Sequence, residues 1–478
     1  MREKQAGLDL TQGSVLKNLL ILSLPIMLAN FMQNMYDITD TFWLGKLGAE
    51  AKNAVSVAAI SFPIVSFFSA FGLGLSVAGI ALVSQYRGAK MYYKIQEITG
   101  QFMLIFIIFA IFFTLLSFSI LNPLLRLLQT PPEIFEVASQ YMQITVLGII
   151  FMFTFLAYQA LNHGLGDSIT PMIIQLFTLL LNALLDPLFI FGWKRFPAYG
   201  TLGAAYATLL CRFLTVVLSF YFFKKRTPQY FPRKIDFIPN WDNIKQILKI
   251  SIPASIAHSS LSFGFIILQG FVNSFGTAVI SINSIGSRLL NFFTMPSMGL
   301  SSGLAAIVGQ NLGANNLPRV KKSIYYSVGV VLLIMITGGL VMFNYGTELT
   351  KIFITDPEVV EIGNRMFKLT ATGAIFFAIL AVLTGVFNGS GHTAPTMILN
   401  ITRFWLLRVP FVFIMSGKIL EFPFIKEGWL NDILQKLAIP LSATPYDAIW
   451  WSMLFSNVLT LTLAIFILKR GKWKTKEI

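Results

Sequence analysis

Three aspartates stand inside long apolar stretches of this 478-residue chain: Asp37 and Asp40 in the first, Asp186 in the fifth. A charged side chain in lipid is costly, so an acid placed there is read first as functional. Spacing groups these residues. Tyr36 and Asp40 are four apart on one helix face, with Gln33 a further turn back and Asp37 offset to the side. Asn182 and Asp186 are also four apart, and Thr208 follows in the next apolar stretch, within Gly203-Ala204-Ala205-Tyr206-Ala207-Thr208. Two carboxyls with Tyr, Asn and Thr oxygens make a set of hard ligands. Asp40, Asn182, Asp186 and Thr208 could hold Na+. Alternatively the acids could share a proton, because two close carboxyls cannot both ionise cheaply. Structural readings stay open beside this one. Asp37 can face water near the end of its stretch, Asp186 can bond backbone freed by Pro187, and Asp40 can be a packing residue.

These residues need a scaffold that keeps them in hydrocarbon. The chain is 55% hydrophobic and 12% charged, with 45 Phe and a mean hydropathy of +0.71. An ordinary soluble domain carries roughly 25% charged residues. Crossing a bilayer takes roughly 20 apolar residues as helix. Twelve such spans are expected, near 16–44, 54–83, 95–121, 135–162, 169–192 and 201–223, then 246–274, 278–308, 320–346, 359–387, 394–416 and 444–468. The runs are continuous rather than alternating, which favours helices over a closed barrel. The first span is too long for a cleaved signal peptide and is read as a permanent helix.

With both termini inside, basic residues concentrate in the inside loops. Arg2, Lys4, Lys17, Arg87, Lys90, Lys94, Arg319, Lys321, Lys322, the stretch Lys224 to Lys249 and the tail Lys469 to Lys476 all fall there. Arg126, Lys194, Arg195, Lys351, Lys418, Lys426 and Lys436 are among the fewer outside. The excess is about two to one, and it predicts cytoplasmic termini. The net charge of +15 is thereby assigned to membrane-facing loops, and nucleic acid is not an expected partner.

A shift of 225 positions overlays the two halves. Thr130, Glu133 and Glu136 lie over Thr355, Glu358 and Glu361, and Gly74, Ser76, Gln85 and Gly88 over Gly299, Ser301, Gln310 and Gly313. Gly164 and Gly166 lie over Gly389 and Gly391. Slightly changed offsets pair Pro25 with Pro253 and Pro187 with Pro410, which puts Val409 over Asp186. Six spans per half give both halves the same topology, a parallel repeat about an axis along the membrane normal. The expected fold is an all-α polytopic membrane protein with twelve transmembrane helices in two pseudo-symmetric six-helix lobes. Residues 1–223 form the N-terminal lobe, 224–245 a basic linker, and 246–478 the C-terminal lobe and tail.

Other features carry less. Pro25 removes a helix hydrogen bond and could act as a hinge or a static kink. Gly164-Leu165-Gly166 lacks the Lys-Ser/Thr of a phosphate loop. Arg288, Arg403 and Arg408 are intramembrane cations, for which snorkelling to an interface is the ordinary account, though a cavity-lining role stays open. His258 is read as a packing residue. Three His and one Cys, Cys211, offer no metal or nucleophile constellation, so an enzyme is not expected.

Taken together, the chain resembles the multidrug and toxic compound extrusion family over essentially its whole length. The carriers are Leu24-Pro25 with Asp40, Gly164-x-Gly166-Asp167-x-x-Thr170-Pro171-Met172, Asn182-x-x-x-Asp186-Pro187, Gly203 to Thr208, and Gly309-Gln310-x-x-Gly313-Ala314. The resemblance implies two lobes around a V-shaped cavity, and export of organic, usually cationic, compounds against entry of H+ or Na+. Within the family it resembles the DNA-damage-inducible type, whose N-lobe cation site maps onto Tyr36, Asp40, Asn182, Asp186 and Thr208. Pro25 matches the position at which that branch bends its first helix. Gln159 stands where that branch has Asn, and Asp37 where a relative has Asn. Gln33, Asp37 and Gln159 are therefore candidate additional members. Leu261 stands where another branch has its seventh-span acid, which disfavours a C-lobe sodium site. The expected protein is a monomeric antiporter of the plasma (inner) membrane. Its partners would be small organic molecules and lipids; it would need no cofactor beyond the coupling ion, H+ or Na+. The alternative is a lipid-linked precursor flippase of the wider superfamily, for which Arg288, Arg403 and Arg408 would bind an anionic head group.

Overall fold

Hydrocarbon offers backbone N–H and C=O groups no water, so each apolar run satisfies them internally as helix. The computed structural model describes residues 7–127, 130–194, 197–417 and 444–478, with the side chains of Asp37 and Leu127 outside that description. Arg2, Lys4, Arg195, Lys418, Lys426 and Lys436 of the loop-charge pattern also lie outside the described residues. Twelve described helices are long and apolar enough to cross a membrane. They are α1 (Val15–Leu44), α2 (Ala51–Gly88), α3 (Tyr92–Leu127), α4 (Pro132–Gly164), α5 (Ile169–Phe191) and α6 (Thr201–Arg226). The second six are α7 (Trp241–Asn273), α8 (Thr277–Gly313), α9 (Leu317–Asn344), α10 (Pro357–Gly389), α11 (Thr393–Met415) and α12 (Ala448–Arg470).

Most spans extend several residues past the apolar windows read from the sequence, because a helix that has left lipid still has capped ends to use. Asn240 caps α7 by accepting from the N–H groups of Asp242 and Asn243, and Asp356 caps α10 through those of Glu358 and Val359. Pro25 lies inside α1, which runs through it as unbroken helix.

The repeat is visible in how the helices pack. In the first half α2 packs on α4, α3 on α4, α4 on α6, and α5 on α6; the same pairs six helices later pack likewise. The first helix of each half crosses over. Besides its own-half partner α5, α1 packs on α8, and α7 packs on α11 and on α2. Glycine makes both crossings close. A Cβ at Gly74 would overlap the backbone of Ser255, and one at Gly299 would overlap Met27; Ser255 and Met27 each lie two residues after the paired prolines. The loops repeat as well. Lys90 and Asn315, 225 apart, both take left-handed backbone (φ 61° and 57°) in the turns after α2 and α8.

The lobes meet at the end of the bundle that carries both termini. From Gly303 to Gly313 every residue of α8 is buried, as is nearly all of α2 from Gly74 to Gly88, whereas the opposite halves of both helices are largely open. Two cross-lobe bonds related by the repeat close this end. Gln85 Nε2 donates to Gly389 O (3.2 Å) and Gln310 Nε2 to Gly164 O (3.0 Å). The amide oxygens are used as symmetrically. Gln310 Oε1 accepts from Leu10 N at 3.0 Å, and Gln85 Oε1 from Glu477 N at 2.9 Å. Thus the amino-terminal segment and the carboxy-terminal tail fill equivalent grooves. The former is also held by Asn311 and Arg319 on Leu10 O, and the latter by Lys249 and Gln246 on Glu477.

Gly88 and Gly313 sit in this closure, where a Cβ would overlap the carbonyls of Gln310 and Gln85 respectively. Gly88→Ala and Gly313→Ala are each expected to destabilise the protein by about 1–3 kcal/mol. Thermal unfolding in detergent should show both shifts. Gly270→Ala, on α7 with open space around it, should not lower stability.

Candidate functional site

Alpha5 is built inside out. Thr178, Asn182 and Asp186 are buried along one stripe, while Leu176, Leu180 and Leu184 are exposed on the other face. A soluble helix would reverse that arrangement. The polar stripe therefore points into the N-terminal lobe, where α1 and α6 pack against α5. Gly203 allows the close approach of α6, since a Cβ there would overlap the backbone of Phe189 and Ile190. The alanines that follow keep the α5–α6 gap narrow as the helix advances towards Thr208.

The approach joins the residues singled out by spacing. Asp186 and Asn182 are both fully buried (0% exposed), and Asn182 Nδ2 donates to Asp186 Oδ1 at 3.0 Å. Thr208 Oγ1 donates to Asp40 Oδ2 at 3.2 Å. The carboxyls of Asp40 and Asp186 lie within hydrogen-bond reach of one another. Two ionised carboxylates have no hydrogen to share, so this contact needs a proton between them or a cation beside them. Tyr36 lies beside Thr208 and Cys211, and its buried hydroxyl makes no hydrogen bond among the described residues.

Asn182 Oδ1 and Asp186 Oδ2 are buried and accept no hydrogen bond from the protein. Buried acceptors without donors are uncommon and expensive. These two, with the Asp40 carboxyl and the Thr208 hydroxyl, offer the oxygen-only ligand set a hard cation takes. The backbone-bonding reading of Asp186 does not hold, because its partners are side chains, Asn182 and Asp40.

The other candidates fall elsewhere. Gln175 Nε2 donates to Gln33 Oε1 (3.1 Å), and Gln159 Nε2 donates to Gln175 Oε1 (3.4 Å). Gln33 and Gln159 thus belong to an amide relay across α1, α5 and α4, and no hydrogen bond among the described residues ties it to the acids. The side chain of Asp37 lies outside the described residues. Pro25 is buried on α1, fifteen residues and about 22 Å of helix from Asp40. Spacing pointed to neither Cys211 nor Arg212, yet both lie beside Tyr36. Their signal was available: they follow Thr208 by three and four residues, one turn along the same face. Gln175 is a similar omission, three residues before Thr178 on the polar stripe. The arginines also divide. Arg288 is exposed on α8, whereas Arg403 and Arg408 are buried inside the C-terminal lobe and do not snorkel.

A family model described as MatE matches residues 25–188 and 253–414. The chain is 32% identical over 410 residues to a probable multidrug resistance protein, YpnP, of Bacillus subtilis, covering 86% of this chain and 90% of that one. It is 26% identical over 468 residues to a probable multidrug resistance protein, NorM, of Thermotoga maritima, covering 97% and 94%. Among solved structures, a multidrug resistance MATE family transporter in an outward-facing conformation superposes with a TM-score of 0.82 at 20% identity over 99% of both chains, a likeness of fold.

Asn182→Ala leaves Asp186 Oδ1 without its donor. The substitution is expected to lower stability by about 1–3 kcal/mol, the cost of an orphaned buried acceptor, and thermal unfolding in detergent will read it. Asn162→Ala, which removes only a bond to its own helix carbonyl, should cost less.

Proposed function

Because this chain belongs to the MatE family, we propose that it exports small organic compounds, cationic ones foremost, in exchange for H+ or Na+ taken up at Asp40 and Asp186. The supporting observation is the contact between those two carboxyls inside the N-terminal lobe, beside buried oxygens of Asn182 and Asp186 that accept no hydrogen bond. Without a cation the pair carries repelling charges in a low-dielectric site. A proton or Na+ relieves that repulsion and draws α1, α5 and α6 together. Multidrug resistance in the names of the two relatives supports organic molecules as the cargo.

The basic loops orient the cycle. Their excess supports a cytoplasmic terminus-bearing end, and in the proposed plasma (inner) membrane setting the open end of the V would face outside. Cations would then reach Asp40 from the exterior, and the closed Gln85–Gln310 end would have to part before cargo enters from within. The acids, the polar stripe and both halves of the cavity lie in one chain, which supports a monomer as the working unit.

Efflux of a fluorescent organic cation from proteoliposomes tests this reading, with imposed pH and sodium gradients applied separately. Asp40→Asn and Asp186→Asn are each expected to cut gradient-driven transport roughly 5–150-fold, the range of a typical coupling free energy. Undiminished transport in both variants would exclude the cluster as the coupling site. The gradient that drives the unaltered protein identifies the ion.

A further inference from the structure

The C-terminal lobe holds two buried charges with the opposite sign. Arg403 and Arg408, 4% and 7% exposed, lie on α11, the counterpart of the helix that carries Asp186. They are ten and fifteen residues into that helix, about 15 and 22 Å from its start at Thr393. That depth is the middle of a membrane span. We propose that Arg403 and Arg408 form an anion site in the C-terminal lobe, which takes the phosphate, sulfonate or carboxylate group of an amphiphile.

Local geometry is the first argument. Residues five apart on an α-helix diverge by about 140° around its axis. From Thr402 to Arg408 the chain instead winds as π-helix, whose hydrogen bonds run from i to i+5 and which recurs at functional sites. The wider turn stacks Arg403 and Arg408 on one face. Both guanidinium groups flank the Phe404 ring, at 5.3 and 4.5 Å from its centroid, and Arg403 also lies 4.9 Å from Phe377. Gly264 on α7 fixes the ring, since a Cβ there would press into it.

Charge balance is the second. Arg408 donates to Ser456 Oγ (3.1 Å) and Asn457 Oδ1 (3.0 Å), both neutral. Arg403 Nε is buried with no acceptor, and among the described residues neither guanidinium is hydrogen-bonded or ion-paired to an acid. Aromatic faces offset part of the cost of a buried cation, but each contact is worth only a fraction of the lost solvation. Two like charges packed around one ring call for an anion. A guanidinium pair suits an oxyanion, because its planar fork matches phosphate and carboxylate geometry. The N-terminal lobe thus presents acids and the C-terminal lobe arginines, with Asp186 and the two arginines on counterpart helices, and a ligand bearing a negative group would be held by the latter.

Binding is read at equilibrium, so it stands or falls separately from transport. The full-length protein in phosphatidylcholine nanodiscs is titrated with octyl phosphate, and with octyltrimethylammonium and octyl glucoside as cationic and neutral counterparts. Octyl phosphate should bind saturably and the other two should not compete. Arg403→Gln and Arg408→Gln should each weaken it about tenfold, the worth of one charge-assisted hydrogen bond. Gly270→Ala, at a position with open space around it, should leave it unchanged. Equal affinity in the arginine variants, or equal binding of the cation, overturns the proposal. If those variants do not fold, a bromine-tailed alkyl phosphate must quench the fluorescence component that Trp405→Phe removes, since Trp405 lies between the two arginines in sequence; absence of that quenching overturns it too. Native mass spectrometry separates the sources. Phosphatidylglycerol retained by the unaltered protein but not by Arg403→Gln identifies a lipid headgroup, and its absence with octyl phosphate still bound identifies a free anion.

Discussion

A carboxylate or guanidinium taken from water into a low-dielectric interior loses solvation worth several kcal/mol, even after the surroundings relax. Asp186 meets that cost with one amide, Asn182, and a second acid, Asp40. A second acid is a poor neutraliser unless something positive joins it. Stability alone would have been served by Leu or Asn at either position, so the pair makes sense as a place where a cation comes and goes. The same reasoning applies with the sign reversed to Arg403 and Arg408. The two lobes share a scaffold and differ in the charge that the counterpart helices α5 and α11 bury.

That scaffold depends on backbones coming close. Lipid tails are as apolar as leucine, so helices in a membrane gain little from burying apolar surface and associate through packing and hydrogen bonds. Here Gly74, Gly88, Gly299 and Gly313 stand at the contacts of α1, α2, α7 and α8, each where a Cβ would overlap another helix. Because the glycines repeat at a spacing of 225, each contact occurs twice. A parallel repeat sends the first helix of each half across to the other half, and the lobes are tied by α1 and α7 as well as by the chain between α6 and α7.

Much of this was legible in the sequence because it rests on periodicity. Spans were readable from apolar length, the repeat from Gly, Gln and Glu at a constant offset, and the pairs Tyr36–Asp40 and Asn182–Asp186 from four-residue spacings, with Thr208 as a further oxygen on the next span. What escaped was non-local or irregular. Gln33 pointed towards the acids by helix position and Gln159 by the family resemblance, but Gln175, from a third helix, captures both. Snorkelling was the ordinary account of Arg403 and Arg408, with a cavity role left open; a five-residue spacing splits them on an α-helix, and the π turn brings them onto one face. The bonds from Leu10 to Gln310 and from Glu477 to Gln85 link positions about three hundred or more residues apart, with nothing in the tails to mark them.

Those tail bonds give α1 a special place. Leu10, which holds Gln310, lies five residues before the start of α1, and Asp40 lies four residues before its end. Between them the helix is continuous, packing on α5 of its own lobe and on α8 of the other. Its counterpart α7 has no acid at the matching end, and the tail that holds Gln85 comes from beyond α12 instead. Of the two crossing helices, only α1 joins an intramembrane acid at one end to a closure bond at the other. Apart from the bond that Pro25 removes, α1 is one continuous helical element linking the Asp40 end to the Leu10 end. The repeat supplies a symmetric frame, and this unsymmetric helix runs from its open end to its closed one.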